Sequence, residues 1–174
     1  MWADWFSSPA CGGGARRAEG ASGRVHCLVL PPPTRFAAHL PRERGRKESA
    51  LLIEGYASLF GVADASGDVV PAGAFARSLR AGAVPMLLQH RSGAVAGRWT
   101  RMVEDGRGLF VRGLIEGDGA RVLVRGGLNG LSIGFRPRVW SPRVDKGRTL
   151  ADVELVDVSL VAEPMLNGAR FRVV

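Results

Sequence analysis

From residue 50 onwards, short apolar segments alternate with turns rich in glycine and aspartate, and this pattern restricts the folds open to the chain. Leu51–Ser58 and Ala151–Val161 predict strands, and Val95–Val103 with Leu109–Ile115 predict a hairpin. The strand–helix–strand rhythm of a parallel sheet is absent. We therefore predict a mainly β (α+β) fold, a closed antiparallel β-barrel with a few surrounding short helices.

Two segments between the predicted strands have helical character. Pro71–Leu79 begins with proline, which suits a first helical turn, and continues with good helix formers. Asp118–Leu128 has an acidic residue at its start and glycines near its end, as a short capped helix does. Val84–His90 is an apolar run that ends at a histidine, and Leu131–Trp140 reads as extended.

Residues 1–48 differ in composition from the remainder of the chain. They contain the runs Gly12–Gly14 and Pro31–Pro33 and carry eight basic and four acidic residues. Such composition is typical of a poorly ordered segment. We predict a poorly ordered basic N-terminal arm over residues 1–48 and a β-barrel domain over residues 49–174.

The composition also limits which cellular compartment and which cofactors we expect. Cys11 and Cys27 lack the spacing of a metal site and read best as free thiols, so we expect neither a metal nor another cofactor. No apolar run approaches the length of a transmembrane helix, and the N-terminus lacks the order of a signal peptide. We expect a cytoplasmic protein without membrane contact.

The net charge of +8 is compatible with two kinds of partner. The same long-range field attracts nucleic acid and an acidic protein surface. A nucleic-acid-binding barrel would place aromatic residues beside its basic ones, but the chain has one tyrosine, and Trp99 and Trp140 are isolated. We therefore expect no direct nucleic-acid contact and keep a basic nucleic-acid-binding barrel as an alternative.

A histidine and a serine are the candidates for nucleophilic chemistry. His90 is the only histidine after residue 48 and follows a predicted buried strand. Ser132 lies in Gly130-Leu131-Ser132-Ile133-Gly134, a G-x-S-x-G pattern that can expose a nucleophile. No histidine follows Ser132, so the residue order excludes an α/β-hydrolase. The order His, Ser, then an acid remains.

The acid of such a group has several candidates after Ser132. Three of them, Asp152, Glu154 and Asp157, fall within the last predicted long strand. A carboxylate in an apolar strand needs a partner, which a histidine ring N–H or an arginine can provide. Glu154 and Asp157 are three residues apart, so they face opposite sides of a regular strand and only one can point at His90.

Five segments in order make the chain resemble a known family from about residue 52 to residue 166. They are Glu54–Gly61, Gly67–Phe75, Pro85–His90, Gly130–Phe135 and Asp157–Val161. The chain is similar to the prohead, or capsid maturation, serine proteases of tailed phages and gene transfer agents. That family resembles the herpesvirus maturational proteases in fold.

The resemblance implies a serine endopeptidase with His90 and Ser132 as base and nucleophile. The family position favours Asp157 as the third member, with Glu154 as the alternative, and Arg136 is implied as the holder of a water that supports the oxyanion. The implied partners are the scaffolding segment of the major capsid protein and the protease itself, through autoprocessing in a possible homo-oligomer. The implied site of action is inside the assembling prohead. A catalytically inactive assembly partner is the remaining alternative.

Overall fold

A computed structural model describes residues 50–174, and the arm predicted for residues 1–48 lies outside the described residues. The elements in chain order are the strand β1 (Leu51–Leu59), the helix α1 (Ala76–Ala81), the strands β2 (Met86–Leu88), β3 (Arg91–Glu104) and β4 (Gly108–Ile115), the helix α2 (Asp118–Arg125), and the strands β5 (Gly130–Pro142), β6 (Arg148–Val161) and β7 (Phe171–Val173).

The seven strands form one sheet in the order β5-β6-β2-β3-β4-β1-β7. Five of the six neighbouring pairs are antiparallel, and β2 runs parallel to β6. The prediction of a mainly β chain with few helices is confirmed.

The prediction of a closed barrel is wrong. The sheet is an open half-barrel, whose two outer strands β5 and β7 approach at an isolated bridge between Gly130 and Arg170. The physical reason is length, because β7 has three residues and β5 has 13. Most of β5 is therefore an edge strand, where Pro137 and Pro142 are tolerated because an edge leaves N–H groups unpaired.

The sequence pattern accounts for the packing of most elements. In β4, the buried residues Leu109, Val111 and Ile115 alternate with more exposed ones, so one face of the strand covers the core. In α2, Ala120 and Val124 lie in the core, while Asp118 and Arg125 complement the helix dipole at its two ends. The helix α1 is shorter than predicted and starts at Ala76, because Pro71–Phe75 forms turns.

The core is a single cluster under the sheet. Fully buried side chains contribute about 1.5–3 kcal/mol each when they leave water. The largest in this cluster include Phe75, Ile53, Met86, Leu109, Ile115, Leu131, Leu150 and Leu160. Two neighbouring core strands, β5 and β6, also carry the polar residues of the site. In residues 50–174, no helix has the length and apolar character to cross a membrane.

Candidate active site

The strand β6 is the platform of the site. Asp157 and Ser159 are two residues apart and therefore project from the same face of β6. On the neighbouring strand β5, Ser132 lies opposite Ser159, and Gly134 lies opposite Asp157. Directly opposite residues share a face of the sheet, with their Cβ atoms about 4.5–5.5 Å apart. The antiparallel register thus brings Ser132 beside the two polar residues of β6.

His90 reaches the same platform from the other side of β6. The strand β2 runs parallel to β6 with Leu87 opposite Ser159, and a two-residue turn, Gln89-His90, then leads into β3. Both turn residues have positive φ angles, 53° for Gln89 and 56° for His90. This backbone suits a tight hairpin turn, but it costs energy for residues other than glycine.

Two hydrogen bonds from main-chain N–H groups of the turn to β6 hold this strained turn in place. The Gln89 N–H donates to the Leu160 carbonyl over an N···O distance of 3.0 Å. The His90 N–H donates to the Ser159 hydroxyl over 3.2 Å. A non-glycine residue in the left-handed region costs on the order of 1–3 kcal/mol and persists where surrounding contacts over-determine it. The turn is therefore anchored to the strand that carries the acid.

The His90 ring and the Asp157 carboxylate form a close contact. Nδ1 of His90 lies 2.8 Å from Oδ1 of Asp157. The carboxylate is buried, while 38% of the His90 side chain is exposed. Since a carboxylate only accepts hydrogen bonds, Nδ1 is the donor in this contact, and in a neutral imidazole Nε2 is then the acceptor. The ring is thus oriented as a general base requires.

The other carboxylate oxygen of Asp157 lies over the backbone of Gly134. A Cβ atom placed on Gly134 would be 2.0 Å from Oδ2 and 2.8 Å from the carboxyl carbon of Asp157. No side chain fits there without moving the carboxylate. The second glycine of the G-x-S-x-G pattern therefore makes room for the acid of the site.

Ser132 is nearly buried, with 5% of its surface exposed. No hydrogen bond joins its hydroxyl to the His90 ring within residues 50–174, which is common for catalytic pairs without a substrate. A cavity of about 150 Å³ lies beside it. The cavity is lined by Ser132, the apolar residues Ala57, Leu131, Ile133, Phe135, Met165 and Leu166, and the polar residues Asp64, Ser66, Asp68 and Arg148.

Glu154 and Arg136 lie apart from this group and close to each other. They are opposite residues of β6 and β5, and Glu154 lies 3.8 Å from Arg136 and 3.1 Å from Arg138. The structure thus brings His90, Asp157 and Ser132 to one face, while Glu154 contacts arginines. Arg136 is 73% exposed in its side chain and has Glu154 as its partner rather than Ser132.

Sequence reasoning overlooked two residues of the site. Ser159 was part of a recognised segment without an assigned role, although a polar residue in the middle of Val158–Val161 is a signal in itself. Gly134 was noted only as the second glycine of the G-x-S-x-G pattern, and no local signal in the sequence indicates that a carboxylate covers it. In residues 50–174 there is no cluster of three metal-ligating side chains.

Comparisons with known proteins agree with this architecture. The KSHV protease, solved in complex with a hexapeptide phosphonate inhibitor, matches with a TM-score of 0.51 and 14% identity over 72% of this chain and 65% of that chain. The bacteriophage T4 capsid assembly protease matches with a TM-score of 0.55 and 15% identity over 66% of this chain and 84% of that chain. At these identities, the likeness concerns the fold.

The chain therefore shares the fold of these two proteases. A family model adds the sequence evidence, since the one for the Caudovirus prohead serine protease matches residues 39–174. The chain belongs to that family. The prohead protease of Enterobacteria phage HK97 is 33% identical over 93 residues, which span 48% of this chain and 41% of that protein.

Proposed function

We propose that the chain is a serine endopeptidase that matures the capsid of a tailed phage or a gene transfer agent, with Ser132 as nucleophile, His90 as general base and Asp157 as the acid that orients His90. The observation that carries this proposal is the contact between His90 and Asp157 on the face that Ser132 shares. Membership of the prohead protease family supports the same reaction.

The proposed reaction uses the three side chains in turn. Nε2 of His90 accepts the Ser132 hydroxyl proton while the oxygen bonds to the carbonyl carbon of the scissile peptide. His90 then donates this proton to the leaving amine, the C–N bond breaks, and an acyl-enzyme remains. Water, deprotonated by His90, hydrolyses the ester and restores Ser132. Asp157 keeps the hydrogen on Nδ1 and stabilises the imidazolium that forms.

The oxyanion needs hydrogen-bond donors beside Ser132. We assign this role to backbone N–H groups, with Arg136 as a candidate to hold a water there. The contact between Arg136 and Glu154 is 3.8 Å long and exposed, so it costs little to break when a substrate arrives.

The proposed substrates are the scaffolding segment of the major capsid protein and the protease itself, inside the assembling prohead. The net charge of +8 favours encounter with an acidic segment. The proposed reaction uses the three catalytic side chains and water, and it requires no cofactor.

A fluorophosphonate probe tests the nucleophile without knowledge of the cleavage site. We expect the probe to modify Ser132, as read by peptide mass spectrometry, and the wild-type chain to cleave a co-expressed capsid precursor. Ser132→Ala should remain folded and show neither reaction, because loss of a triad nucleophile costs on the order of a millionfold in rate. Ser141→Ala, an exposed serine of the same strand, is the matched control and should behave as wild type.

Two outcomes would contradict the proposal. Wild-type cleavage by Ser132→Ala would show that another residue is the nucleophile. A folded wild-type chain that neither reacts with the probe nor cleaves the precursor would favour the inactive assembly partner instead.

A further inference from the structure

Ser159 has a polar side chain in the most enclosed part of β6 and no part in the chemical steps above. Its exposed fraction is 0%. Its neighbours along the strand, Val158 and Leu160, are fully buried core residues. A hydroxyl in such surroundings is costly unless hydrogen bonds satisfy it.

The Ser159 hydroxyl makes two hydrogen bonds, and both go to the proposed catalytic pair. It accepts from the His90 N–H over 3.2 Å and donates to Oδ1 of Asp157 over 2.6 Å. Oδ1 is also the oxygen that contacts Nδ1 of His90. One hydroxyl thus links the main chain of the base to the carboxylate that orients its ring.

We propose that Ser159 is a positioning residue, which holds His90 and Asp157 as one unit so that the ring presents Nε2 to Ser132. This inference rests on the proposed function and assigns to Ser159 no contact with the substrate. It acts through its two hydrogen bonds.

The need for such a link comes from the backbone of the turn. Gln89 and His90 both occupy the left-handed region, so the turn relaxes unless it is tied to β6. Gln89 is tied through a main-chain carbonyl, which any residue in β6 provides. His90 is tied through a side chain, so this second tie depends on a serine at position 159.

The position of the Asp157 carboxylate also depends on Ser159. Oδ2 of Asp157 packs against the backbone of Gly134. Oδ1 accepts both hydrogen bonds, one from Nδ1 of His90 and one from the Ser159 hydroxyl. Without the Ser159 donor, the carboxylate keeps a single hydrogen bond from a half-exposed ring and is free to rotate. A rotation misaligns the base, and a displacement of about 1 Å can cost on the order of a hundredfold in rate.

The test compares Ser159→Ala with Ser78→Ala in the full chain. Ser78 is the matched control, because its hydroxyl also bonds β6, at the Val153 carbonyl and the Leu155 N–H, but away from the site. We expect Ser159→Ala to lower kcat about 10- to 100-fold with KM within about threefold of wild type. Ser78→Ala should keep kcat within about threefold.

Nuclear magnetic resonance supplies a readout that a purely structural role would not move. In wild type, the proton on Nδ1 of His90 should give a downfield signal, because it is held in a short hydrogen bond to a buried carboxylate. We expect this signal to disappear or shift in Ser159→Ala and to persist in Ser78→Ala.

The outcomes separate this inference from the proposed function. If Ser132→Ala is inactive while Ser159→Ala keeps both kcat and the Nδ1 proton signal, the positioning role is wrong and the protease assignment stands. If Ser132→Ala cleaves normally, the protease assignment itself fails.

A measurement on wild type decides the case in which Ser159→Ala does not fold. The His90 amide should exchange with solvent as slowly as amides of β6, because it donates to a buried hydroxyl. Exchange at the rate of an open turn would overturn the inference.

Discussion

Replacement of Gly134 by alanine tests the geometry of the site without removing any functional group. The new Cβ atom would lie 2.0 Å from Oδ2 of Asp157. An ordinary contact is about 3.4 Å or more, so the carboxylate oxygen must withdraw by about 1.4 Å. The nucleophile, the base and the acid are all still present in this variant.

The magnitude follows from two limits. A misplacement of about 1 Å costs on the order of 10²-fold in rate, and complete loss of the orienting carboxylate's function costs about 10⁴-fold. We expect Gly134→Ala to lower kcat by a factor between about 10² and 10⁴. This decrease corresponds to a loss of about 2.7–5.4 kcal/mol of transition-state stabilisation. The stability of the fold should fall by only about 1–3 kcal/mol, as for other overpacked sites.

The assay is the rate of capsid-precursor cleavage, together with the rate of fluorophosphonate labelling and a thermal unfolding curve. Gly93→Ala is the matched control, because Gly93 also lies in a strand and a Cβ atom there would contact nothing within 4 Å. If folded Gly134→Ala cleaves within about threefold of wild type, the position of the Asp157 carboxylate does not matter for the reaction, and the reasoning is refuted.

Three further predictions concern the acid beside His90, the ion pair of Asp68 with Arg148, and the N-terminal arm. Asp157→Asn should slow cleavage by about 10⁴-fold. Glu154→Gln should keep the cleavage rate within about threefold of wild type, because Glu154 contacts exposed arginines. A larger effect at Glu154 would make Glu154 the acid that orients His90. The pKa of Asp68 is held below its ordinary value, chiefly by side-chain hydrogen bonds from Arg148 against the opposing effect of burial. Its stabilising contribution is therefore present above the unfolded pKa and lost as the pH falls below about 4. Thermal unfolding between pH 6 and pH 3 should depend less on pH in Asp68→Asn, and an unchanged dependence would contradict this. Finally, limited proteolysis should trim residues 1–48 and leave a resistant fragment with its thermal transition; loss of that transition would show that the arm is structural.

The amino-acid sequence by itself determined the strand character of the chain and pointed to two candidate site residues. The apolar run Leu109–Ile115, interrupted by Arg112 and Gly113 and preceded by a turn, predicts the returning strand of a hairpin. In the structure its side chains alternate between the core and the outer face, because successive side chains of a strand point to opposite sides. His90 and Ser132 were identifiable because one is the sole histidine after residue 48 and the other stands in a recognisable glycine pattern. Such signals are local, so they can be read without a fold.

Which acid contacts His90 was decided by the tertiary structure. The choice between Asp157 and Glu154 depends on strand register, since Asp157 lies opposite Gly134 and Glu154 opposite Arg136, with an irregularity between the two pairs. His90 reaches Asp157, 67 residues away, through the parallel pairing of β2 with β6. Pairing between strands distant in sequence has no local signature, because it depends on how the whole sheet buries its apolar face.

The open sheet and the role inferred for Ser159 have the same origin. Closure of the barrel depends on the lengths of β5 and β7 at opposite ends of the strand order, which no single segment encodes. The Ser159 hydroxyl receives the His90 N–H only when the parallel pairing of β2 with β6 places the turn that follows β2 beside Ser159. The sequence therefore supplied the reactive groups, and the long-range pairing of strands gave them their geometry.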